Sequence, residues 1–198
     1  MIFKILGINI EISVPFAVII AFLLVTDTTG LMSASLLAVS VHEAGHLVAM
    51  KLKDCAPASV KLGAGGILII GSSFCTAGES IIIALAGPLA NFLLTAVFMI
   101  IATISNSVLS FAFAAVQLLV GAVNLLPVKG LDGGTVLRFL LIRLPKCNVE
   151  LTLKLVSILT AVAITVIGVA VAVKNVSNPS LLLLGLYLII INSYKYDR

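Results

Sequence analysis

The chain has 198 residues, of which 61% are hydrophobic and only 10% charged, with a net charge of +4. A soluble domain carries about 25% charged residues and about 45–50% apolar ones, so a chain with a mean hydropathy of +1.28 has too little charge to cover a water-facing surface. These figures describe an integral membrane protein and exclude soluble cytosolic and secreted domains. A membrane β-barrel is excluded too, because barrels need alternating segments of about ten residues, and long unbroken apolar blocks stand here instead.

In chain order, Ile8–Ile12 (Ile-Asn-Ile-Glu-Ile) alternates apolar and polar residues, the period of a strand. Val14–Val25 follows as a short apolar block, with no A-x-A type cleavage site after it, and is expected to be a retained helix. Leu31–Leu52 is long enough to cross a bilayer core of about 30 Å. Ala58–Ile70, with Gly63, Gly65 and Gly66, is β-branched and glycine-rich, which suits a hairpin or re-entrant strand pair. Ser80–Thr103, Ser107–Val128 and Val149–Val173 are further long spans, and Ser180–Ile191 is a second short one. The expected fold is therefore all-α and polytopic, with six transmembrane helices and a small cytoplasm-side re-entrant β element. Non-helical backbone at membrane depth must be buried or line a cavity, so the β segments point to a cytoplasm-facing cavity. No internal repeat, low-complexity tract or linker divides the sequence, and the expectation is a single membrane-embedded domain over residues 1–198.

The basic excess, with a pI near 9.1, is better explained by topology than by nucleic-acid binding. With a cytoplasmic N-terminus and six crossings, Lys4, Lys51, Lys53, Lys61, Lys129, Arg138, Arg143, Lys146, Lys154, Lys195 and Arg198 fall on the cytoplasmic side and only Lys174 falls outside. Both termini are then cytoplasmic. Trp is absent, leaving any interfacial aromatic belt to Tyr and Phe. Cys55, Cys75 and Cys147 form an odd, scattered set without a CxxC. They are expected to be small buried hydrophobes, neither a disulfide framework nor zinc ligands.

The two histidines, His42 and His46, stand four residues apart in His-Glu-Ala-Gly-His. Chance would give this spacing, with its Glu, about once in 5,000 shufflings of such a composition. On a helix, positions i and i+4 share a face, so both imidazoles can reach one metal ion. Glu43 projects about 100° further round, within reach of a water at that ion without ligating it. The three residues lie inside an apolar span, where ionisable groups are expensive. The bland alternative is a His–Glu hydrogen-bond network between helices.

A catalytic zinc needs a third protein ligand, and Asp132, in Leu131-Asp132-Gly133-Gly134, is the natural candidate. A loop aspartate in a turn before an amphipathic segment stays open as the other reading. Gly87-Pro88 with Asn91 is favoured as a packing notch and kink over a polar lining of the site, and Asn124, before Pro127, as an interhelical hydrogen-bonder. Glu11 and Glu79 are most simply solvated. Asn175-Val176-Ser177 matches a glycosylation sequon, a weak pattern.

Taken together, the stretch Val39 to Leu47 around the histidines, Ala86-Gly87-Pro88-Leu89-Ala90-Asn91, and Asn124-Leu125-Leu126-Pro127 followed by Leu131-Asp132-Gly133-Gly134 resemble the three signatures of the site-2 protease family (peptidase family M50) of intramembrane zinc metalloproteases. The likeness covers Ser33 to about Gly134 and looks closest to the branch containing the bacterial sporulation protease that releases a sigma factor. It implies Zn2+ as cofactor, His42, His46 and Asp132 as its ligands, and Glu43 as general base and acid. It also implies Asn124 as a substrate or transition-state contact, and Gly65 and Gly66 in a membrane-re-entrant β element that pairs with an unwound substrate strand. The implied substrate is a transmembrane protein, of the kind of a membrane-associated transcription-factor or anti-sigma-type precursor. The implied place is the bacterial cytoplasmic membrane, with the site open to the cytoplasm. Two departures stand out. Lys129-Gly130 replaces the proline that commonly precedes the Leu-Asp-Gly element, and no PDZ or CBS regulatory domain is expected.

Two other classes compete. A membrane metal-binding protein or zinc transporter would use the same ligands, but transporters commonly show repeated halves with paired broken helices, and one motif set stands here. A non-catalytic scaffold for membrane segments would have no need of Glu43.

Overall fold

The structure is a computed structural model that describes residues 2–5, 8–12, 20–22, 24–55, 59–63, 66–70, 75–145, 147–174 and 179–193. Four strands, β1 (Ile2–Ile5), β2 (Ile8–Ile12), β3 (Ser59–Gly63) and β4 (Gly66–Ile70), form one sheet in that order. The alternating Ile8–Ile12 is β2, and Ala58–Ile70 holds the antiparallel β3–β4 hairpin, paired from Ser59 opposite Ile70 to Gly63 opposite Gly66. β1 pairs antiparallel with β2, while β2 runs parallel to β3, with Asn9 opposite Ser59 and Ile12 opposite Leu62. Strand β1 is an addition to the expected fold; its Ile-Phe-Lys-Ile carries no alternation to announce it.

The helices are α1 (Leu31–Leu52), α2 (Ala77–Ser105), α3 (Val108–Asn124), α4 (Asp132–Leu141), α5 (Val149–Lys174) and α6 (Ser180–Ser193). Three are long and apolar enough to cross a membrane, namely α1, α2 and α5, whereas α3 and α6 are shorter apolar helices. Of the block Val14–Val25, residues 20–22 and 24–25 are helical and the others, except as stated, lie outside the described residues. The expected span Ser107–Val128 is shortened: α3 stops at Asn124 after 17 residues, about 25 Å of rise. Pro127 accounts for the early end, since it has no N–H and steers the residue before it away from helical backbone.

The apolar side chains of these helices largely face outward. Leu93 and Ile104 of α2 are 71% and 79% exposed, and Leu119 of α3 and Leu159 of α5 are similarly open. Such surfaces suit hydrocarbon and not water. The chain divides into two compact units, residues 1–121 and 122–198.

In the first unit, α1 is started by Asp27. Its carboxylate accepts from the backbone N–H of Gly30 and of Ser33, each at 2.9 Å, and from the Ser33 hydroxyl at 2.9 Å. These donors, the Ser33 N–H first, hold the Asp27 carboxyl down to a pKa of about 2 from its ordinary 3.8. Because the folded pKa is the lower one, the cap contributes fully above about pH 4 and is lost as pH falls through about 2. Hydrogen exchange at the Ser33 amide should show protection constant above pH 4 and declining below it. In Asp27→Asn that acid-side decline should be absent.

Helix α2 begins with a capping box, the Thr76 hydroxyl accepting from the Glu79 N–H while the Glu79 carboxylate accepts from the Thr76 N–H. Glu79 thus has a local structural role beyond solvation. The inward face of α1 carries Ala34, Ala38, His42, His46 and Ala49, and small residues of this kind let helix backbones approach closely. At the crossing with α2, a Cβ added to Gly45 would stand 2.6 Å from the Ala86 carbonyl oxygen. The cysteine expectation holds for the burial of Cys55, 2% exposed in a hydrophobic cluster, and is corrected for the pairing. Cys55 and Cys75 are joined by a disulfide, their Cα atoms 5.8 Å apart, and only Cys147 is free. Their separation of 20 residues hides the pairing, because it is the intervening β3–β4 hairpin that returns the chain to its start.

In the second unit, α5 and α6 meet at glycines. A Cβ on Gly168 would stand 2.6 Å from the Leu182 backbone nitrogen, and one on Gly185 would strike Thr165. Val128, Ala161 and Leu188 form the buried cluster of this unit.

Candidate metal centre

Helix α1 carries His42 and His46 on its buried face, and each imidazole is oriented by an acceptor on its Nδ1 side. His46 Nδ1 lies 2.7 Å from the carbonyl oxygen of Ile83 on α2. A carbonyl only accepts, so His46 donates from Nδ1 and, as a neutral imidazole, carries its lone pair on Nε2. His42 Nδ1 lies 2.8 Å from Asn91 Oδ1, and the Asn91 amide nitrogen donates to the Ala38 carbonyl at 2.9 Å. The Ala38 carbonyl is one of the acceptors that decide which end of the Asn91 amide faces His42. The oxygen does, so His42 also donates from Nδ1.

Both Nε2 atoms are then lone pairs, and they face each other at 3.1 Å. Two neutral acceptors at that distance repel, and a proton or a metal ion shared between them relieves the repulsion. His42 and His46 are 5% and 8% exposed, so water does little to relieve the repulsion. Neutral imidazole nitrogens presented in this way are the donor chemistry of zinc. The sequence reading of Asn91 as packing is thereby corrected. It is fully buried and bonded to His42, and the signal for this lay 49 residues away in the chain, on another helix.

Gly87 shows why the second stretch needs a residue without a side chain. A Cβ there would stand 2.5 Å from His46 Nε2, 2.6 Å from His46 Cε1 and 2.9 Å from His42 Cε1. Pro88, inside α2, withdraws one donor from the helical ladder in the same stretch of helix that offers the Ile83 carbonyl to His46. Glu43 is half-buried on α1, one position on from His42.

In the second unit, Asn124 is the last residue of α3 and Asp132 the first of α4, with the turn 125–131 between them. Gly130, with φ at 94°, adopts a left-handed conformation that glycine takes without strain. Gly133 and Gly134 lie against the carbonyls of Leu125 and Val128, where any side chain would collide with backbone. The turn is tied to α5 through the Ser157 hydroxyl, which accepts from the Lys129 N–H at 2.9 Å and donates to the Leu153 carbonyl at 2.7 Å. Lys129 thus makes the backbone bond that the commoner proline could not. Asp132 is half-buried at the start of its helix. Gly66 opens β4, and Gly65 lies outside the described residues.

No protein-family profile matches the chain. Over 155 residues it is 34% identical to a zinc metalloprotease of Methanocaldococcus jannaschii, a stretch that takes in 70% of this chain and 44% of that protein. The chain thus spans less than half the length of the curated relative it matches. Its fold resembles that of a site-2 protease from the same organism, with a TM-score of 0.60, 21% identity, and coverage of 97% of this chain and 93% of the other. Similarity in sequence to the one and in fold to the other agree with the resemblance of the three signature stretches to the site-2 protease family.

Proposed function

We propose that this protein is an intramembrane zinc metalloprotease that cleaves membrane-anchored protein substrates within or near a transmembrane segment. The observation that carries the reading is the pair of imidazole lone pairs 3.1 Å apart on a buried helix face. His42, His46 and Asp132 would hold the ion, offering two imidazole nitrogens and one carboxylate oxygen. Zinc, when bound, supplies Lewis acidity to a water and to the scissile carbonyl.

The rest of the work falls to the chain. Glu43 takes a proton from the attacking water and returns one to the leaving amine. Asn124 holds the substrate backbone beside the site. β4 ends the sheet, and its edge, from Gly66, receives an unwound substrate strand by backbone pairing, with Gly65 joining it only by the family resemblance. Unwinding is required because helical carbonyls are already hydrogen-bonded and shielded.

The six-span arrangement with a re-entrant sheet, the cytoplasmic termini and a site open to the cytoplasm belong to the same proposal, supported by the distribution of basic residues. So do a single membrane-embedded domain and a substrate of the membrane-associated transcription-factor or anti-sigma precursor type. The test is co-expression with a panel of membrane-anchored transcription-factor precursors. Wild type should release a cytoplasmic fragment from at least one that Glu43→Gln leaves intact. Zinc uptake into proteoliposomes that is unaffected by Glu43→Gln, with no cleavage anywhere, would replace the protease reading with transport.

A further inference from the structure

We infer that Gln117 is a positioning residue for the metal: acting through Asn91, it fixes which nitrogen of His42 is left for an ion. The inference rests on the zinc reading above and extends it to a residue outside the three signature stretches.

Gln117 sits on α3, fully buried, in an otherwise apolar stretch of helix. A primary amide in such a place is costly unless it is hydrogen-bonded. Its Oε1 accepts from the Asn91 amide nitrogen at 2.6 Å. Asn91 has two N–H donors. One goes to the Ala38 carbonyl and the other to Gln117, so both are committed away from His42. Only Asn91 Oδ1 remains for His42 Nδ1, and the His42 proton is held there. The chain of bonds thus links α1, α2 and α3 at one point.

The cost of this arrangement is visible in Gln117 itself. Its buried Nε2 has no hydrogen-bond partner among the described residues. Turning the amide over would bring Nε2 against the Asn91 nitrogen, donor against donor. Gln117 therefore keeps its oxygen on Asn91 and leaves a buried donor unmade, an arrangement that burial penalises. A residue present for packing alone would be apolar here. The orphan donor marks a side chain whose orientation toward Asn91 is what counts.

The test is Gln117→Met, which keeps the length of the side chain and removes both its donor and its acceptor. Purified protein in detergent is stripped of metal, titrated with zinc against a chromophoric chelator, and its thermal midpoint is measured metal-free. Zinc affinity should fall about 10-fold, the low end of what losing a supporting partner of a ligating histidine costs. The metal-free midpoint should stay level, because the orphan donor of Gln117 is gone while the Asn91 N–H that its oxygen satisfied becomes one in its place. A lower midpoint with unchanged affinity would show a merely structural glutamine and overturn the inference. A second readout needs no metal: nitrogen NMR of the imidazoles in metal-free protein. Wild type should show His42 protonated at Nδ1, and Gln117→Met should show a mixture of tautomers. His42 protonated at Nε2 in wild type, or a tautomer unmoved by Gln117→Met, overturns it. Wild type that takes up no zinc would sink the metal reading instead, with the tautomer measurement still deciding the role of Gln117.

Discussion

Glu43→Gln is expected to keep its zinc and lose cleavage by about 10²–10⁴-fold, the loss that follows removal of a general base. His42→Ala is expected to lose both. The difference follows from position: His42 presents a lone pair toward His46, whereas Glu43 lies one residue on, turned about 100° around the helix. Metal analysis of the purified variants beside the cleavage assay separates the two roles. Zinc lost from Glu43→Gln would make the carboxylate a ligand. Cleavage retained by purified Glu43→Gln would remove it from the mechanism.

The second large effect is expected at a residue with no side chain. Gly87→Ala would place a methyl group 2.5 Å from His46 Nε2 and 2.9 Å from His42 Cε1. Neither ring can yield freely, since both are held at Nδ1, one by Ile83 and the other by Asn91. One imidazole must leave its bond, or α2 must move away from α1. Zinc affinity should fall by about 10–100-fold, as when a supporting contact of a metal ligand is lost, and stability by about 1–3 kcal/mol from overpacking. Chelator competition and thermal unfolding of the same preparation give both numbers. Wild-type zinc affinity in Gly87→Ala would mean that α2 does not press on the histidine pair.

What is legible in the sequence follows the range of the interaction. The common face of His42 and His46 is legible because a helix fixes it locally, four residues apart. Strand β2 and the β3–β4 hairpin are legible for the same reason, through alternation and glycine placement. Partnerships across helices are not. The partner of Asn91 depends on which face of α1 it meets, 49 residues earlier, and no periodicity encodes that. Gln117 is different, because a lone amide in an apolar block is itself a signal that such a residue has a partner. The Cys55–Cys75 bridge is hidden by the hairpin between its ends, and β1 by being four residues long. Residues that bend the chain lie between these extremes. Pro127 marks the end of α3, but the end falls at Asn124, ahead of the proline itself.

The pairing of β2 with β3 bears on how the chain is threaded through a bilayer. Neighbouring strands of one sheet, with Asn9 opposite Ser59 and Ile12 opposite Leu62, enter from one side of the membrane in the proposed arrangement. In that arrangement the number of passages between Ile12 and Ser59 is even, whatever the thickness of the bilayer or the tilt of any helix. There α1 is one passage of a pair within that stretch of chain. Hydropathy alone leaves the threading a matter of length thresholds; the sheet turns it into a question of parity. Topology reporters inserted on either side of this stretch should report the same compartment.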